Sequence, residues 1–224
     1  MPFRLFSVGF LSFLFSLIVT SLVATPANAQ VINLQSKTQT SPQTIVVFGD
    51  SLSAAYNIKQ DEGWVALLQQ RLALNKQNVQ VVNASISGET TSGGLSRFAA
   101  MLKQQKPNIV VIALGGNDGL RGLKVSDIKT NLDKMILQAK AINAQVLLLG
   151  VKIPPNYGLK YSQQFSENYA ELAKKHAIKL VPFFLDGVAG NPKLIQADGL
   201  HPVAAAQPKI LENVWPTLSK MLQK

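Results

Sequence analysis

Two short segments far apart in the chain carry the residue types needed for acyl transfer. Gly49–Ser53 follows an early apolar run, and Asp198–His201 lies near the C-terminus. A serine hydroxyl attacks a carbonyl at neutral pH only when a base takes its proton, and histidine is the usual base. A carboxylate on the other imidazole nitrogen fixes the tautomer of that base. We therefore expect Ser51 as nucleophile, His201 as base and Asp198 as the orienting acid.

The choice of base is narrow, because the chain contains two histidines. His201 follows Asp198 by three residues in a glycine-containing turn and precedes Pro202, so a carboxylate can reach its imidazole. His176 ends a polar, lysine-rich helical stretch, which predicts a solvated surface histidine. An alternative interpretation of Asp198–Pro202 is a plain helix-entry turn capped by the aspartate, since short motifs often match by chance.

Three groups are expected to donate to the oxyanion that attack on an ester would produce. They are the backbone N–H of Ser51, the backbone N–H of Gly88, where the missing Cβ permits close approach, and the side-chain amide of Asn117. Each such donor is worth about 10²- to 10³-fold in rate. Taken singly, these residues are equally compatible with turns and helix caps. Together they favour a catalytic site.

The sequence does not predict a metal, a cofactor or a nucleic-acid partner. The chain has no cysteine, and Asp50 and Asp118 lack a third clustered acid or histidine to hold a hard cation. The formal net charge is +10, but the lysines are scattered and no basic stripe interleaved with aromatic residues is present. A peripheral contact with anionic membrane lipid is compatible with this charge.

The first 29 residues have the pattern of a secretory signal peptide. Arg4 precedes the apolar stretch Leu5–Ala24, and small residues at Ala27 and Ala29 fit the cleavage pattern. We expect cleavage near Ala29, a flexible polar leader over residues 30–43, and one domain over residues 44–224 that is periplasmic or secreted. The alternative is an uncleaved membrane anchor, since about 20 apolar residues can span a bilayer.

Short β-branched runs alternate with helical patterns through the rest of the chain. The predicted strands are Thr44–Phe48, Val79–Asn83, Ile109–Leu114, Gln145–Leu149 and Leu180–Phe184. Helical patterns cover Gly63–Leu74, Val125–Ala144 and Val203–Leu222, and Pro208 and Pro216 are expected to shorten or kink the last of them. Apolar strands joined by helical crossovers indicate a parallel sheet that is buried on both faces. We predict a three-layer α/β/α domain with a central five-stranded parallel sheet.

This fold class would bring the candidate residues together. Ligands of open parallel sheets bind beyond the carboxyl ends of the strands, which share one edge. Ser51 follows the first predicted strand, and Gly88 follows the second. Asn117 follows the third strand, and His201 follows the fifth after a loop. All four are therefore expected at one edge of the sheet.

The four motifs together resemble the conserved blocks of the SGNH (GDSL) hydrolase family. The matching segments, in order, are Gly49–Ser53, Gly88 within Asn83–Thr90, Gly115–Asp118 and Asp198–Pro202. The resemblance extends from about Thr44 to the C-terminus. It is greatest to the bacterial periplasmic thioesterase I, protease I or lysophospholipase type, through Asn117–Gly122 and Pro155–Gly158. Arylesterases share most of it.

The resemblance implies a flavodoxin-like fold, a triad of Ser51, Asp198 and His201, and oxyanion donors at Ser51, Gly88 and Asn117. It also implies a mobile loop over the acyl site at Gly119–Lys124. The substrate-binding residues inferred from it are Gly119, Leu120, Arg121, Gly122, Leu123 and Tyr157. No metal or cofactor is implied, and small single-domain relatives favour a monomer.

One position departs from the family pattern. Ala55 stands in the nucleophile segment where relatives often have glycine. The extra methyl group is expected to narrow the turn or the entrance of the site. We therefore expect it to affect acyl preference and to leave the triad intact.

The expected function is hydrolysis of carboxylic esters by a secreted serine hydrolase through an acyl-enzyme. Small-molecule acyl esters or lysophospholipids are the expected substrates, because acyl-CoA thioesters are scarce outside the cytoplasm. Two alternatives are open. One is a carbohydrate O-acetyl esterase with the same machinery and a polar pocket, and the other is an extracytoplasmic lipid or glycan binding protein without turnover. Binding alone would not require a nucleophile, a base and an acid together.

Overall fold

Within residues 42–223, five strands form one parallel sheet in the order β2-β1-β3-β4-β5. The computed structural model describes these residues and, separately, residue 12. The strands are β1 (Gln43–Gly49), β2 (Val79–Asn83), β3 (Ile109–Ala113), β4 (Gln145–Leu149) and β5 (Lys179–Val181). All neighbouring pairs run parallel, so the carboxyl ends of the strands share one edge. The predicted five-stranded parallel sheet is confirmed, with the strand order of flavodoxin-like folds.

Helices cover both faces of this sheet. In the described part of the chain they are α1 (Trp64–Leu74), α2 (Thr91–Gln105), α3 (Gly116–Leu120), α4 (Val125–Ala141), α5 (Leu159–His176) and α6 (Gln207–Leu222). Short 3₁₀ helices occupy Gln60–Glu62, Pro155–Tyr157 and Ala204–Ala206. Helix α1 packs against α6, and α4 packs against α2 and α5. Right-handed crossovers place these two groups on opposite faces, which gives the predicted α/β/α layers.

The hydrophobic core lies on both faces of the three inner strands. Residues 45–48 of β1, 109–113 of β3 and 146–149 of β4 are buried. The outer strands β2 and β5 carry exposed polar residues, Gln80 and Lys179. Continuous burial of an apolar run is expected for parallel strands that helices cover on both sides.

Element boundaries differ from the sequence predictions where the backbone cannot continue its hydrogen bonding. Strand β5 ends at Val181 instead of Phe184, because Pro182 has no N–H to donate. Helix α6 begins at Gln207 instead of Val203. Pro208 falls in its first turn, where no N–H is needed, and the helix continues through Pro216.

The predicted signal peptide (1–29), and with it the alternative of a membrane anchor, lies outside the described residues except for residue 12. The predicted leader lies outside them as well, except for its last two residues. Gln43 belongs to β1, so the strand begins one residue before the predicted domain boundary. No helix in the described part of the chain is both long and apolar enough to span a bilayer.

The sequence pattern predicts a solvated His176, and this prediction is wrong. The residue is 8% exposed, and its Nε2 lies 2.7 Å from Oδ1 of Asp133 on α4. Helical spacing places position 176 on the same face as Leu172 and Tyr169, which are buried. The buried face of α5 therefore carries His176 against α4, although the local sequence is rich in lysine.

The first N–H group of helix α1 donates its hydrogen bond to a residue far away in the sequence. Its N-cap is Gly63, which provides no side-chain cap. The backbone N–H of Trp64 donates instead to Oε1 of Gln207, at 3.0 Å. Gln207 is 3% exposed and Trp64 is fully buried, so this bond is shielded from water and ties the start of α1 to the start of α6.

We expect Gln207→Met to lower the free energy of unfolding by about 1–3 kcal/mol, because the N–H of Trp64 would be left buried without an acceptor. In a domain of this size each kcal/mol corresponds to a fall in melting temperature of about 2–4 °C. The matched control is Gln104→Met on the exposed face of α2. Equal melting temperatures for the two variants, measured by circular dichroism, would contradict the assigned cap.

Candidate active site

Ser51 lies in the turn that follows β1. A Cβ on Gly49 would lie 3.0 Å from the carbonyl oxygen of Ala113 on β3, so the end of the strand needs glycine. The N–H of Ser53 then donates to the carbonyl of Asp50, at 3.1 Å, which reverses the chain. Residues 51–57 form consecutive turns. Ser51 therefore lies in a turn and not at the start of a helix.

A chain of two hydrogen bonds joins Ser51, His201 and Asp198. Nε2 of His201 lies 2.8 Å from Oγ of Ser51, and Nδ1 of His201 lies 2.6 Å from Oδ2 of Asp198. The serine hydroxyl therefore has an imidazole acceptor whose other nitrogen faces a carboxylate. This is the geometry that proton transfer from serine to histidine requires.

Asp198 is held in its ionised form by hydrogen bonds, and its side chain is 38% exposed. Oδ1 of Asp198 accepts hydrogen bonds from the backbone N–H groups of His201 (3.0 Å) and Leu200 (2.9 Å). These two bonds, followed by the bond from the His201 side chain, lower the pKa of Asp198 to about 2. The carboxylate thus remains an acceptor for the imidazole at every pH near neutrality.

Gln196 fixes the loop that carries Asp198 and His201. Its Nε2 donates to the carbonyl of Tyr56 at 3.1 Å and to that of Pro202 at 3.0 Å. Its Oε1 accepts from Nδ2 of Asn57, at 3.0 Å. One side chain therefore joins the histidine loop to the turn that follows Ser51. The ring of Tyr56 also lies against the imidazole of His201, with 4.3 Å between ring centroids.

Asn117 approaches the site from the end of β3. Its Nδ2 donates one hydrogen to Oδ2 of Asp50, at 3.3 Å. The amide has a second hydrogen, and no acceptor for it is present among residues 42–223. Asn117 and Ser51 both line the same cleft. Strands β1 and β3 are neighbours from which the chain continues to opposite faces, and this switch point is where open α/β sheets bind ligands.

Asp50 is almost completely buried directly beside the nucleophile. Its Oδ1 accepts from the N–H of Leu52, at 3.0 Å, and its Oδ2 accepts from Asn117. Burial raises the pKa of Asp50 to about 7, although these hydrogen bonds oppose the increase. Asp50 thus orients the amide of Asn117 and fixes the turn at Ser51 with one carboxyl group.

Gly88 lies in the loop after β2 with a positive φ of 78°, a conformation that favours glycine. Its carbonyl accepts from Nη2 of Arg121, at 3.2 Å. No described residue accepts a hydrogen bond from the N–H of Gly88 or from that of Ser51, so both are available to an external acceptor. Ser51 borders the cleft directly, whereas Gly88 is not among the cleft-lining residues.

Both carboxylate oxygens of Asp118 accept hydrogen bonds from Thr91. Its Oδ2 accepts from the N–H of Thr91 (2.9 Å) and its Oδ1 from the hydroxyl of Thr91 (2.6 Å). Burial raises the pKa of Asp118 against these two bonds. Asp118 therefore anchors the N-terminus of α2 to α3. Within the described residues, no three acidic, histidine or cysteine side chains form a group able to hold a metal ion.

A cleft of about 420 Å³ opens beside Ser51 and His201. Its apolar lining consists of Leu52, Leu120, Val151, Ile153, Pro154, Phe183, Leu185, Ala189, Ile195 and Leu200. Lys152 also borders it, and its Nζ lies 4.9 Å above the ring of Phe183. A larger depression of about 560 Å³ lies beside Lys106 and Pro107 at the amino edge of the sheet, and it contains no nucleophile and base pair.

Of the predicted substrate-binding residues, Leu120 lines this cleft. Tyr157 does not line the cleft but contacts a residue that does, since its hydroxyl donates to the carbonyl of Leu120 at 2.9 Å. Gly119 is buried, and a Cβ there would lie 2.5 Å from Ile153. The other three, Arg121, Gly122 and Leu123, are exposed and do not line the cleft.

Ala55 does not narrow the entrance of the cleft. It is 7% exposed, does not line the cleft, and would lie 2.9 Å from a Cβ placed on Gly63. Its φ is 56°, in the left-handed region where an L-residue costs about 1–2 kcal/mol. The expected effect on the entrance is therefore absent, and the methyl group packs inside the turn.

Sequence reasoning missed Gln196, Asp50 as a partner of Asn117, and the ring of Tyr56. Gln196 bonds mainly to backbone carbonyls, which leave no pattern of residue types in the sequence. Position alone could have indicated Gln196, because it lies two residues before Asp198. The bond between Asp50 and Asn117 could not be predicted, because the sequence does not show that Asp50 is buried.

The fold and the site define the class of protein. An α/β/α domain with a serine, a histidine and an aspartate hydrogen-bonded at the carboxyl edge of its parallel sheet has the arrangement that serine hydrolases use. The model of the GDSL-like Lipase/Acylhydrolase family matches residues 47–207. The chain belongs to the SGNH (GDSL) hydrolase family, as the motifs predict, and is a carboxylic ester hydrolase.

Characterised relatives agree with this assignment over most of their length. Esterase TesA of Pseudomonas aeruginosa is 53% identical over 184 residues, which is 82% of this chain and 92% of the relative. Thioesterase 1/protease 1/lysophospholipase L1 of Escherichia coli is 42% identical, covering 80% of this chain and 83% of the relative. The psychrotrophic esterase EstA of Pseudoalteromonas sp., crystallised inhibited by monoethylphosphonate, is 42% identical with a TM-score of 0.78, covering 81% of this chain and 100% of that one.

Gln196→Leu should reduce kcat by about tenfold to a hundredfold with little change in KM, because small displacements of a catalytic group have effects of this size. Steady-state kinetics on a soluble aryl ester measure both constants. Gln163→Leu is the matched control, since it removes a hydrogen bond on the exposed surface of α5. An unchanged kcat in Gln196→Leu would show that the loop is held without this side chain.

Asp50 should make the protein less stable as pH rises from about 4 to about 7. Its folded pKa lies above the unfolded value of 3.8, so over this range the folded state retains a proton that the unfolded chain releases. The loss is on the order of 4 kcal/mol at most, from about 1.4 kcal/mol per pKa unit. Asp118 contributes in the same direction.

The difference between wild type and Asp50→Asn isolates this effect from other titrating groups. Chemical unfolding at a series of pH values between 4 and 8 should give a shallower pH dependence for the variant. Parallel stability curves for the two proteins would contradict the elevated pKa of Asp50.

Proposed function

We propose that the protein is a secreted serine esterase in which Ser51 is the nucleophile, His201 the general base and Asp198 the orienting carboxylate. The observation that supports this most directly is the continuous hydrogen-bonded chain from Oγ of Ser51 through His201 to Oδ2 of Asp198. All three residues belong to one chain, so the site needs no partner subunit, and we propose a monomer as the active form.

The reaction follows from these contacts. As Oγ of Ser51 bonds to the ester carbonyl carbon, its proton passes to Nε2 of His201, and the imidazolium that forms is stabilised by Asp198. The same proton then goes to the leaving alcohol oxygen when the C–O bond breaks, which leaves an acyl-enzyme. Water, deprotonated by His201, attacks the acyl carbon and releases the acid and the free Ser51 hydroxyl.

Oxyanion stabilisation is proposed for the N–H of Ser51, the N–H of Gly88 and the second hydrogen of the Asn117 amide. Each is a donor that is free of protein acceptors among the described residues. Donors that are fixed before the reaction stabilise the developing charge without reorganisation. Inhibition of the relative EstA by a phosphonate agrees with this proposal, since a phosphonate is tetrahedral like the intermediate.

The cleft favours acyl esters of fatty acids over acetylated carbohydrate. Its walls are mainly aliphatic, and Lys152 is an exposed cation among its lining residues. An acyl chain gains free energy from leaving water for such a surface, about 25 cal/mol per Å² buried, whereas sugar hydroxyls would find few partners. We propose small-molecule acyl esters or lysophospholipids as substrates, in line with the names of two relatives.

Export is part of this proposal. The apolar segment Leu5–Ala24 and the small residues at Ala27 and Ala29 support cleavage near Ala29, which would release the enzyme into the periplasm or the medium. Lysophospholipids and other acyl esters of the cell envelope are available to an exported enzyme. Acyl-CoA thioesters are scarce there.

Ser51→Ala should reduce hydrolysis of p-nitrophenyl acyl esters by several orders of magnitude, because the members of a triad act as one unit. Ser53→Ala is the matched control. The Ser53 hydroxyl is buried two residues away and has no hydrogen-bond partner in the described structure, so its loss should leave kcat/KM within a few-fold. Unchanged turnover in Ser51→Ala would eliminate the mechanism.

The same wild-type assay extended from acetyl to palmitoyl esters, with lysophosphatidylcholine and acetylated xylan alongside, identifies the substrate class. The apolar cleft predicts that kcat/KM rises beyond acetyl. A clear preference for acetylated xylan would instead support the carbohydrate esterase alternative. Absence of turnover on every ester would favour the binding-protein alternative.

A further inference from the structure

Most of the exposed large hydrophobic side chains of residues 42–223 lie at the carboxyl edge of the sheet, where the cleft opens. Those at the carboxyl edge of the sheet are Tyr56, Ile86, Leu123, Tyr157, Leu159 and Leu200. Within residues 42–223, the others are Leu74, Leu137 and Ile142, which lie on or just after α1 and α4. Contiguous exposed apolar surface beside a site marks an interaction surface more often than scattered apolar residues do.

Two loops on one side of the mouth combine this apolar surface with positive charge. We call them the basic rim, defined as residues 119–124, which begin at the end of α3, and residues 150–160, which run from β4 into the start of α5. The rim carries exposed cations at Arg121, Lys124, Lys152 and Lys160. Neither loop contains an aspartate or a glutamate. Leu123, Tyr157 and Leu159 are exposed among these cations, and Leu159 is 82% exposed.

Hydrogen bonds hold the two loops of the basic rim together. The hydroxyl of Tyr157 donates to the carbonyl of Leu120 (2.9 Å), and that of Tyr161, the residue directly after the rim, donates to the carbonyl of Leu123 (2.7 Å). These bonds join the two parts of the rim into one surface. It is also continuous with the cleft, because Leu120 and Lys152 belong to both.

We propose that the basic rim docks the enzyme on the surface of an anionic phospholipid bilayer, with the mouth of the cleft facing the lipid. Cations and exposed leucine and tyrosine side chains on one surface match the two layers of such a bilayer, since lysine and arginine bind anionic headgroups while apolar side chains enter the acyl boundary. The consequence for catalysis rests on the proposed esterase function: docking presents single lipid molecules to Ser51. The docking itself does not require turnover.

An acidic protein partner fits the basic rim less well. Protein interfaces are depleted of lysine at their centres, and three of the four rim cations are lysines. Lysine near a lipid surface, by contrast, contributes about 1 kcal/mol per residue by attraction to the anionic headgroups. The number and type of rim cations therefore favour lipid as the partner.

The test measures binding to vesicles by co-sedimentation. Residues 1–29 are removed for this test, because their apolar segment would bind bilayers by itself. The sheet and its core lie within residues 42–223, which are retained. Ser51→Ala is included throughout so that no lipid is consumed. Vesicles of phosphatidylcholine alone are compared with vesicles that also contain phosphatidylglycerol, at low salt and at 0.5 M NaCl, about where screening suppresses exposed charges.

We expect binding to the phosphatidylglycerol vesicles, weakened by salt, and little binding to phosphatidylcholine. The double variant Lys124→Gln/Lys160→Gln should bind about 25-fold more weakly, from about fivefold per lysine. The charge-matched control is Lys103→Gln/Lys134→Gln, which removes exposed lysines on α2 and α4. Leu159→Ser should also weaken binding several-fold, whereas Leu74→Ser should not, although Leu74 is equally exposed at 83%.

Equal losses in the rim and control variants, equal binding to both kinds of vesicle, or no binding at all would each overturn the proposed docking. Hydrolysis of soluble p-nitrophenyl acetate separates this result from the esterase proposal. Lys124→Gln/Lys160→Gln should hydrolyse it like wild type, since a soluble ester needs no docking. Failure of the wild type to hydrolyse any ester would refute the esterase function while leaving the vesicle result intact.

Discussion

The hydrogen bond between Oγ of Ser51 and Nε2 of His201 is the contact on which the site depends, and it joins residues 150 positions apart. A bond of this kind tolerates only a few tenths of an ångström of error. The sheet positions Ser51, because β1 ends at Gly49 and the turn that follows is bonded to itself and to Gln196. The loop from Gln196 to Pro202 positions His201. Most of the fold at the carboxyl edge can be understood as holding these two segments at a fixed distance.

Two carboxyl groups near the nucleophile have opposite environments, and each environment suits a different task. Asp198 is partly exposed, accepts three hydrogen bonds and has a pKa lowered to about 2, so it is a permanent anion beside the imidazole. Asp50 is buried and has a pKa raised to about 7. A carboxyl group with a pKa near neutrality can accept from Asn117 while it carries, on average, less than a full negative charge beside the proposed oxyanion site. The difference between the two pKa values follows from the different solvent access of the carboxyl groups and from the number of N–H donors that each one has.

The residues of the candidate site could be predicted from the sequence more fully than the residues that hold them in place. Ser51, His201 and Asp198 follow from the requirements of acyl transfer and from the few histidines present, and the parallel sheet follows from apolar runs separated by helices. Gln196 could not be predicted, because its partners are backbone carbonyls, which every residue has. The lysine neighbours of His176 predict a surface position, although its place seven residues after Tyr169 puts it on the buried face of α5. For this residue the helical periodicity gives the correct burial and the local composition does not.

The loops after β3 and β4 connect substrate access to the surface of the molecule. Leu120 and Lys152 line the cleft, and their neighbours Leu123 and Tyr157 are exposed, so the same two loops form a wall of the cleft and the surface beside it. Bonds from Tyr157 and Tyr161 to the facing loop mean that a displacement of one loop displaces the other. Leu120, Lys152, Leu123 and Tyr157 lie outside the hydrophobic core and take no part in the bonds among Ser51, His201 and Asp198. Substrate preference can therefore change through these loops while the hydrogen bonds that join Ser51, His201 and Asp198 stay in place.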